Sequence, residues 1–147
     1  MTYSGFLFQQ VKGLYEPAYI LAWFKRADEK YIIFKGYVEE KELERLYQRA
    51  SVFAYPSFYE GFGFPIVEAF CAGTPVVTSK TSSCGEIAGD SALLVDPKDH
   101  SEIASSVRRL IDDQDLRQEL INKGIDRAKK FTSTESARQL VNLFTNL

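Results

Sequence analysis

Two glutamates on either side of a glycine-rich segment are the residues of this chain that best suit ligand binding. Glu60 directly precedes Gly61 and the nearby Gly63, and Glu68 lies three residues after Pro65. Because glycine lacks a side chain, a ligand can approach its backbone closely, and proline favours the first position of a helix. A helix N-terminus carries unpaired N–H groups and about half a positive charge, which together favour an anion such as phosphate.

The two carboxylates indicate a different ligand group from the phosphate. Like charges repel, so Glu60 and Glu68 do not suit the phosphate itself, whereas a carboxylate readily accepts hydrogen bonds from sugar hydroxyls. A phosphate between two hydroxylated rings describes a sugar nucleotide. Taken singly, the glycines also fit turn chemistry, and Glu68 fits the helix dipole, an effect of about 0.3–1 kcal/mol. The joint order of strand, Pro-Ser, Glu-Gly-Phe-Gly, Pro and Glu-Ala favours the binding interpretation.

Four aromatic residues lie close to Glu60 in the sequence and could stack on a sugar: Phe58, Tyr59, Phe62 and Phe64. Packing into the core is the commoner fate of such large side chains. Phe62, between its two glycines, is the one for which we expect exposure.

Short apolar runs that alternate with helical periodicity must position these residues. We predict strands at 31–34, 52–55, 75–78 and 92–95, helices at 39–50 and 65–73, and three helices that close the chain. Strands that are apolar on both faces and separated by helices indicate a parallel sheet covered on both sides. The predicted fold is therefore α/β and doubly wound, with ligands bound beyond the carboxyl ends of the strands.

The first thirty residues fit this scheme less well. Residues 6–11 are compatible with a strand, and residues 16–27 are compatible with a helix that has Pro17 near its start. We therefore expect an irregular or remnant segment at 1–30 and the binding domain at 31–147.

Composition and charge narrow the class of protein. The 147 residues suit a single domain, and 18 basic against 20 acidic residues leave no excess charge for a nucleic-acid partner. No run of 18 apolar residues and no signal-peptide pattern are present, so we expect a cytoplasmic protein without a transmembrane segment. Cys71 and Cys84 form no CxxC pair, which predicts reduced thiols and no zinc site.

The segment from Pro56 to Ala69 resembles the signature of glycosyltransferase family 4, a group of retaining enzymes built from two facing Rossmann-like domains, the GT-B fold. Residues 31–131 follow the family pattern without gaps. Besides the signature, the stretches that carry the resemblance are 34–38, 46–47, 50–53, 72–77, 86–90 and 94–97.

The resemblance implies a fold, an activity and a set of site residues. The fold would be the C-terminal, nucleotide-sugar-binding half of a GT-B enzyme, truncated at its N-terminus. The activity would be transfer of a sugar, with retention and without a metal cofactor, from a UDP-, GDP- or ADP-linked donor to an acceptor hydroxyl. Glu60 would be catalytic and hold the donor sugar, and Glu68 would hold the ribose. The backbone of Gly61, Phe62, Gly63 and Phe64 would meet the phosphate or sugar, and Tyr37 and Val38 would flank the base.

Some family features are missing from the sequence. No convincing match exists for the Arg and Lys that clamp the diphosphate, Lys12-Gly13 being the nearest candidate, and the acceptor-binding domain is absent. We therefore expect the chain alone to be catalytically incomplete, and to associate with itself or with a chain that carries the acceptor domain. The alternative is a truncated, non-catalytic module for nucleotide binding or protein interaction.

Overall fold

The computed structural model describes residues 5–11, 17–23, 32–35 and 37–145. Within these ranges, six strands form one sheet in the order β3-β2-β1-β4-β5-β6. The strands are β1 (Gly5–Val11), β2 (Pro17–Trp23), β3 (Ile32–Phe34), β4 (Val52–Tyr55), β5 (Val76–Ser79) and β6 (Leu93–Val95). The helices are α1 (Glu40–Arg49), α2 (Phe64–Cys71), α3 (Ser82–Ala88), α4 (His100–Asp112), α5 (Gln114–Ala128) and α6 (Ser133–Thr145), with a 3₁₀ turn at Lys129–Phe131.

The sheet confirms the predicted α/β class. Strands β1, β4, β5 and β6 run parallel, with Phe53 of β4 opposite Val76 of β5 and Val77 of β5 opposite Leu93 of β6. Strands β2 and β3 extend this parallel part as antiparallel neighbours. The four strands predicted between residues 31 and 95 are therefore present, with bounds that differ by one residue at most from those expected.

The helix expected over residues 16–27 is wrong, because Pro17–Trp23 is strand β2. Its sequence is rich in aromatic and branched residues that suit a strand, and all seven of its residues pair with β1, from Gly5 opposite Trp23 to Val11 opposite Pro17. The strand expected at 6–11 is confirmed as β1. The described parts of the first thirty residues thus belong to the common sheet, and the domain division at residue 30 stays a prediction.

Helix α3 is an element that the sequence analysis did not predict. It has only seven residues, too few to show a repeated apolar stripe, and it follows β5 after the two residues Lys80 and Thr81. The helix nevertheless buries Cys84, Ile87 and Ala88.

Two apolar clusters cover the two faces of the sheet. Alternate side chains of a strand point to opposite faces, so Val52 and Ala54 of β4 join one cluster while Phe53 and Tyr55 join the other. The cluster on the Phe53 side includes residues of α1, α2 and α3, whereas the cluster on the Val52 side includes residues of α4 and part of α5. This is the expected covering of the sheet by helices. None of the helices in the described ranges is long and apolar enough to cross a membrane.

A glycine allows α5 to pack closely against α2. A Cβ atom placed on Gly124 would lie 2.6 Å from Cδ1 of Phe70, a ring that is 2% exposed. Because that ring is enclosed by the core, it has little room to move away. Gly124 therefore sets the separation of the two helices, and with it the position of α2.

We predict that Gly124→Ala destabilises the protein even though alanine is the better helix former. The gain in helix propensity is about 1 kcal/mol, and forcing a methyl group into a packed core typically costs about 1–3 kcal/mol. Urea unfolding should therefore show a net loss of stability. The matched control is Asn122→Ala, an exposed position on the same helix, which should leave stability unchanged or raise it. A Gly124→Ala protein as stable as the Asn122→Ala control would contradict this packing.

Candidate functional site

The candidate site lies where two neighbouring parallel strands end. Strand β4 ends at Tyr55 and α2 begins at Phe64, so the loop between them carries Glu60. Strand β5 ends at Ser79 and α3 begins at Ser82. Because β4 and β5 are parallel and paired, both loops leave the same edge of the sheet, the edge at which α/β folds bind ligands.

Glu60 is held at both its side chain and its main chain. Its Oε1 accepts hydrogen bonds from the hydroxyls of Tyr55 at 2.6 Å and Ser57 at 2.7 Å. Its backbone N–H donates to Ser82 Oγ at 3.2 Å, and its carbonyl accepts from Ser83 Oγ at 2.9 Å. No described residue donates to Oε2. The half-buried carboxylate is therefore fixed in orientation and has one oxygen available to a ligand.

The N-terminus of α2 follows Glu60 and has no side-chain cap. Gly63 occupies the capping position in the left-handed region, at φ 101° and ψ 44°, and no acidic residue lies in the first turn. Among the described residues, no hydrogen bond uses the N–H groups of Gly61, Phe62, Gly63 or Phe64. A Cβ atom added to Gly61 would meet nothing within 4 Å. The segment thus offers unpaired donors and open space, the conditions under which a helix N-terminus binds an anion.

Glu68 lies on the other side of this N-terminus, one turn into α2. Its side chain is exposed, and its Oε2 accepts a hydrogen bond from the Tyr47 hydroxyl at 3.1 Å. The carboxylate borders a cleft of about 350 Å³ between α1 and α2. Residues that line this cleft include Glu40, Leu43, Tyr47, Phe64, Val67 and Glu68.

The two residues expected to flank the base lie between β3 and α1, next to the first turn of α1 that borders the cleft. Tyr37 is 86% exposed and is free to contact a ligand with its ring. Val38 is 8% exposed, and its side chain belongs to the core. If Val38 meets a ligand, it does so through its backbone.

The aromatic residues around Glu60 behave in the opposite way to that expected. Phe62 is half-buried, with its ring 5.8 Å from Phe131 in an edge-on contact and 4.6 Å from Phe64. Phe58, Tyr59 and Phe64 are 66%, 80% and 67% exposed. Core packing was therefore the wrong expectation for these three, because the loop runs along the open edge of the sheet and only Phe62 turns inward.

Four residues that hold Glu60 were missed by the sequence analysis: Tyr55, Ser57, Ser82 and Ser83. The hydroxyl-rich run Thr81-Ser82-Ser83 after a predicted strand is typical of a helix start and could have indicated α3 at this edge. Ser82 has φ 54°, the one positive φ among the described non-glycine residues. Such strained backbone is found preferentially at functional sites.

The two cysteines are free, as predicted, and differ in environment. Cys71 is exposed and lines the cleft beside Glu68. Cys84 is buried, and that burial raises the pKa of its thiol, which therefore stays protonated at neutral pH. Across the described ranges, no cluster of three or more His, Cys, Asp or Glu side chains could hold a metal ion. The expectation of a metal-free site stays a prediction.

Comparison with known sequences identifies the family of this chain. Residues 25–127 match the family model described as glycosyl transferases group 1. O-antigen chain mannosyltransferase B of Escherichia coli is 39% identical over 116 residues, which are 79% of this chain and 30% of that protein. D-inositol 3-phosphate glycosyltransferase of Corynebacterium kroppenstedtii is 34% identical over 71% of this chain and 24% of its own length. The chain thus spans less than a third of these relatives.

Solved structures of GT-B glycosyltransferases share the fold. Sucrose-phosphate synthase of Thermosynechococcus elongatus superposes with a TM-score of 0.66 at 29% identity, over 78% of this chain and 29% of that one. The C-terminal domain of a glycosyl transferase group 1 family protein from Francisella tularensis superposes with a TM-score of 0.62 at 31% identity, over 70% of this chain and 54% of that one. From the family match and the shared fold together, we conclude that this chain belongs to the group 1 glycosyl transferases.

Proposed function

We propose that the chain binds a nucleotide sugar at the carboxyl edge of its sheet, as the donor for transfer of that sugar to an acceptor hydroxyl. The main observation behind this proposal is the hydrogen bonding of the Glu60 carboxylate. Two hydroxyls hold one of its carboxylate oxygens, and no donor among the described residues reaches the other, directly before an open glycine and an uncapped helix N-terminus. A carboxylate oxygen that can accept hydrogen bonds from sugar hydroxyls therefore lies next to backbone N–H groups that can bind an anion.

The diphosphate of the donor fits the segment from Gly61 to Phe64. Its N–H groups are unpaired within the described chain, and the helix dipole adds positive potential at the same point. Hydrogen bonds between backbone N–H groups and a charged oxygen are roughly twice as strong as those between neutral partners. Because Glu60 and Glu68 are negatively charged, they suit the hydroxylated rings on either side of the phosphates.

The sugar fits beside Glu60, and the nucleoside fits the cleft that Glu68 borders. Oε2 of Glu60 would accept from hydroxyls of the transferred sugar, and Glu68 would accept from the ribose. The exposed ring of Tyr37 and the backbone of Val38 would flank the base, since they adjoin the first turn of α1 at the same cleft. The relative from Escherichia coli is named as a mannosyltransferase, which makes a mannosyl donor the first one to test among UDP-, GDP- and ADP-linked sugars.

In the proposed reaction the bond between the sugar and the diphosphate breaks, and the reacting carbon forms a bond to the acceptor oxygen with retention of configuration. The proton of the acceptor hydroxyl passes to the departing diphosphate. Negative charge grows on the departing diphosphate, and preorganised N–H groups stabilise such charge without reorganisation. Positive charge grows on the sugar ring, as in glycoside hydrolysis, and the nearby carboxylate of Glu60 favours it. In this proposal α2 supplies the positive potential, so donor binding should persist in the presence of a chelator.

We predict that Glu68→Gln weakens binding of a nucleoside diphosphate but not of inorganic phosphate. The substitution removes the charged acceptor for the ribose hydroxyls, and a hydrogen bond to a charged group is worth about 1.5–3 kcal/mol, a loss of at least about tenfold in affinity. Isothermal titration calorimetry with UDP, GDP and ADP in the presence of EDTA gives the measurement. Glu119→Gln, an exposed glutamate on α5, is the control and should bind as the unsubstituted chain does. Equal losses of affinity for the nucleotide and for inorganic phosphate would contradict the assignment of Glu68 to the ribose.

We also predict that Gly61→Val abolishes donor binding while the fold persists. A Cβ atom at this position meets nothing within 4 Å, so thermal unfolding should shift little, but the valine side chain fills the space through which a phosphate would reach the backbone. Gly61→Ala should give an intermediate loss. Unchanged affinity in Gly61→Val would show that the ligand does not contact this turn.

Finally, we predict that the chain alone binds its donor without transferring sugar. Holding two reactants in the reactive orientation can supply about 7–11 kcal/mol of a barrier, and in this family that orientation comes from a second, facing domain. Purified chain would be incubated with labelled nucleotide sugars and candidate acceptors, and its oligomeric state measured in parallel. Steady transfer by a monomer, lost in Glu60→Ala, would contradict this prediction, whereas failure to bind any donor would favour the alternative of an interaction module.

A further inference from the structure

A row of three buried aromatic rings connects the two glutamates of the site. The rings of Tyr47 and Phe53 meet edge-on with centroids 5.1 Å apart, and those of Phe53 and Tyr55 stack at 5.8 Å. The three side chains are 3%, 0% and 3% exposed. They come from the last turns of α1 and from β4, two successive elements, and form one rigid unit within the core.

The two ends of this row carry hydroxyls, and each hydroxyl holds one glutamate. Tyr55 donates to Oε1 of Glu60 at 2.6 Å, and Tyr47 donates to Oε2 of Glu68 at 3.1 Å. Within the described chain, the second oxygen of each carboxylate accepts no hydrogen bond from a side chain or a backbone N–H. The two tyrosine hydroxyls therefore each bind one oxygen of a carboxylate, together with Ser57 in the case of Glu60, and leave the other oxygen without a donor in the described chain.

The main chain of both tyrosines is fixed by two buried threonines. Thr74 Oγ1 donates to the carbonyl of Tyr47 at 2.6 Å, and Thr78 Oγ1 donates to the carbonyl of Tyr55 at 2.8 Å. Both threonines are at most 2% exposed, and they lie just before and within β5. The tyrosines are thus restrained through their rings and through their backbones.

Packing alone does not account for the two hydroxyls. A phenylalanine fills the middle of the row, and phenylalanine would fill the two ends equally well. Burying a hydroxyl is unfavourable unless it forms a hydrogen bond, and each of these hydroxyls donates to a carboxylate proposed to contact the ligand. We propose that Tyr47 and Tyr55 are positioning residues that fix the separation and orientation of Glu68 and Glu60, so that one donor molecule engages both. This inference rests on the proposed function.

The test compares two single-atom substitutions, Tyr55→Phe and Tyr47→Phe, which keep the rings and remove the hydroxyls. Calorimetry would measure the affinity of each variant for a nucleoside diphosphate and for its hexose ester, using the UDP, GDP and ADP series. Tyr55→Phe should weaken the hexose ester about tenfold and leave the nucleoside diphosphate within about twofold. Tyr47→Phe should weaken both ligands by the same factor, because it acts on the ribose contact that they share. Melting temperatures of both variants check that the core persists.

Combined substitutions show whether each tyrosine acts through its glutamate. Tyr55→Phe should add no further loss of hexose-ester affinity to Glu60→Gln, and Tyr47→Phe should add none to Glu68→Gln. Additive losses, or a Tyr55→Phe variant that binds both ligands as the unsubstituted chain does, would overturn the inference and leave the proposed function standing. An unsubstituted chain that binds neither ligand would contradict the proposed function and this inference together.

Discussion

The parallel pairing of β4 with β5 is the constraint on which the candidate site depends. Both strands are buried along their whole length, so their register is set by packing on two faces, and parallel pairing sends both carboxyl ends to one edge. The loop after β4 carries Glu60 and leads into α2. The loop after β5 leads into α3, whose first two serines form hydrogen bonds with the backbone of Glu60. A shift in this register would separate Glu60 from Ser82 and Ser83 and remove the two hydrogen bonds between their hydroxyls and the backbone of Glu60.

The same arrangement solves an electrostatic conflict. A carboxylate close to an anion-binding helix N-terminus tends either to occupy that terminus itself or to repel the ligand. Here the hydroxyls of Tyr55 and Ser57 fix the orientation of the Glu60 carboxylate through Oε1, no side chain caps α2, and no acidic residue stands in its first turn. The N–H groups are thereby kept available, and the carboxylate can serve a neighbouring hydroxyl. Glu68 avoids the conflict differently, because it lies a full turn along the helix and faces the cleft toward α1.

The sequence contained enough information for the elements with strong local patterns. Strand β4 was predicted with its observed bounds, since Val-Phe-Ala-Tyr is apolar on both faces and ends at Pro56, and the glycines and Pro65 correctly marked the loop and the start of α2. Helix α3 has too few residues for a periodic pattern. The sequence of β2 was also compatible with a helix, and only its pairing with β1, a tertiary contact, identifies it as a strand. The serine partners of Glu60 on α3 could not be predicted, because Ser82 and Ser83 lie 22 and 23 residues from it in sequence and reach it only through the tertiary approach of two loops. Exposure of Phe58 and Tyr59 likewise depends on which side of the loop faces solvent.

The central claim is that a nucleotide sugar binds with its phosphates on the backbone between Glu60 and Pro65. Amide chemical shifts of the isotopically labelled chain, recorded during titration with a nucleotide sugar, test this claim most directly. We predict the largest shift changes at the N–H groups of Gly61, Phe62, Gly63 and Phe64, with smaller changes around Glu68 and Tyr37. Saturable binding that leaves these four amides unmoved and shifts residues elsewhere, such as those of α6, would contradict it.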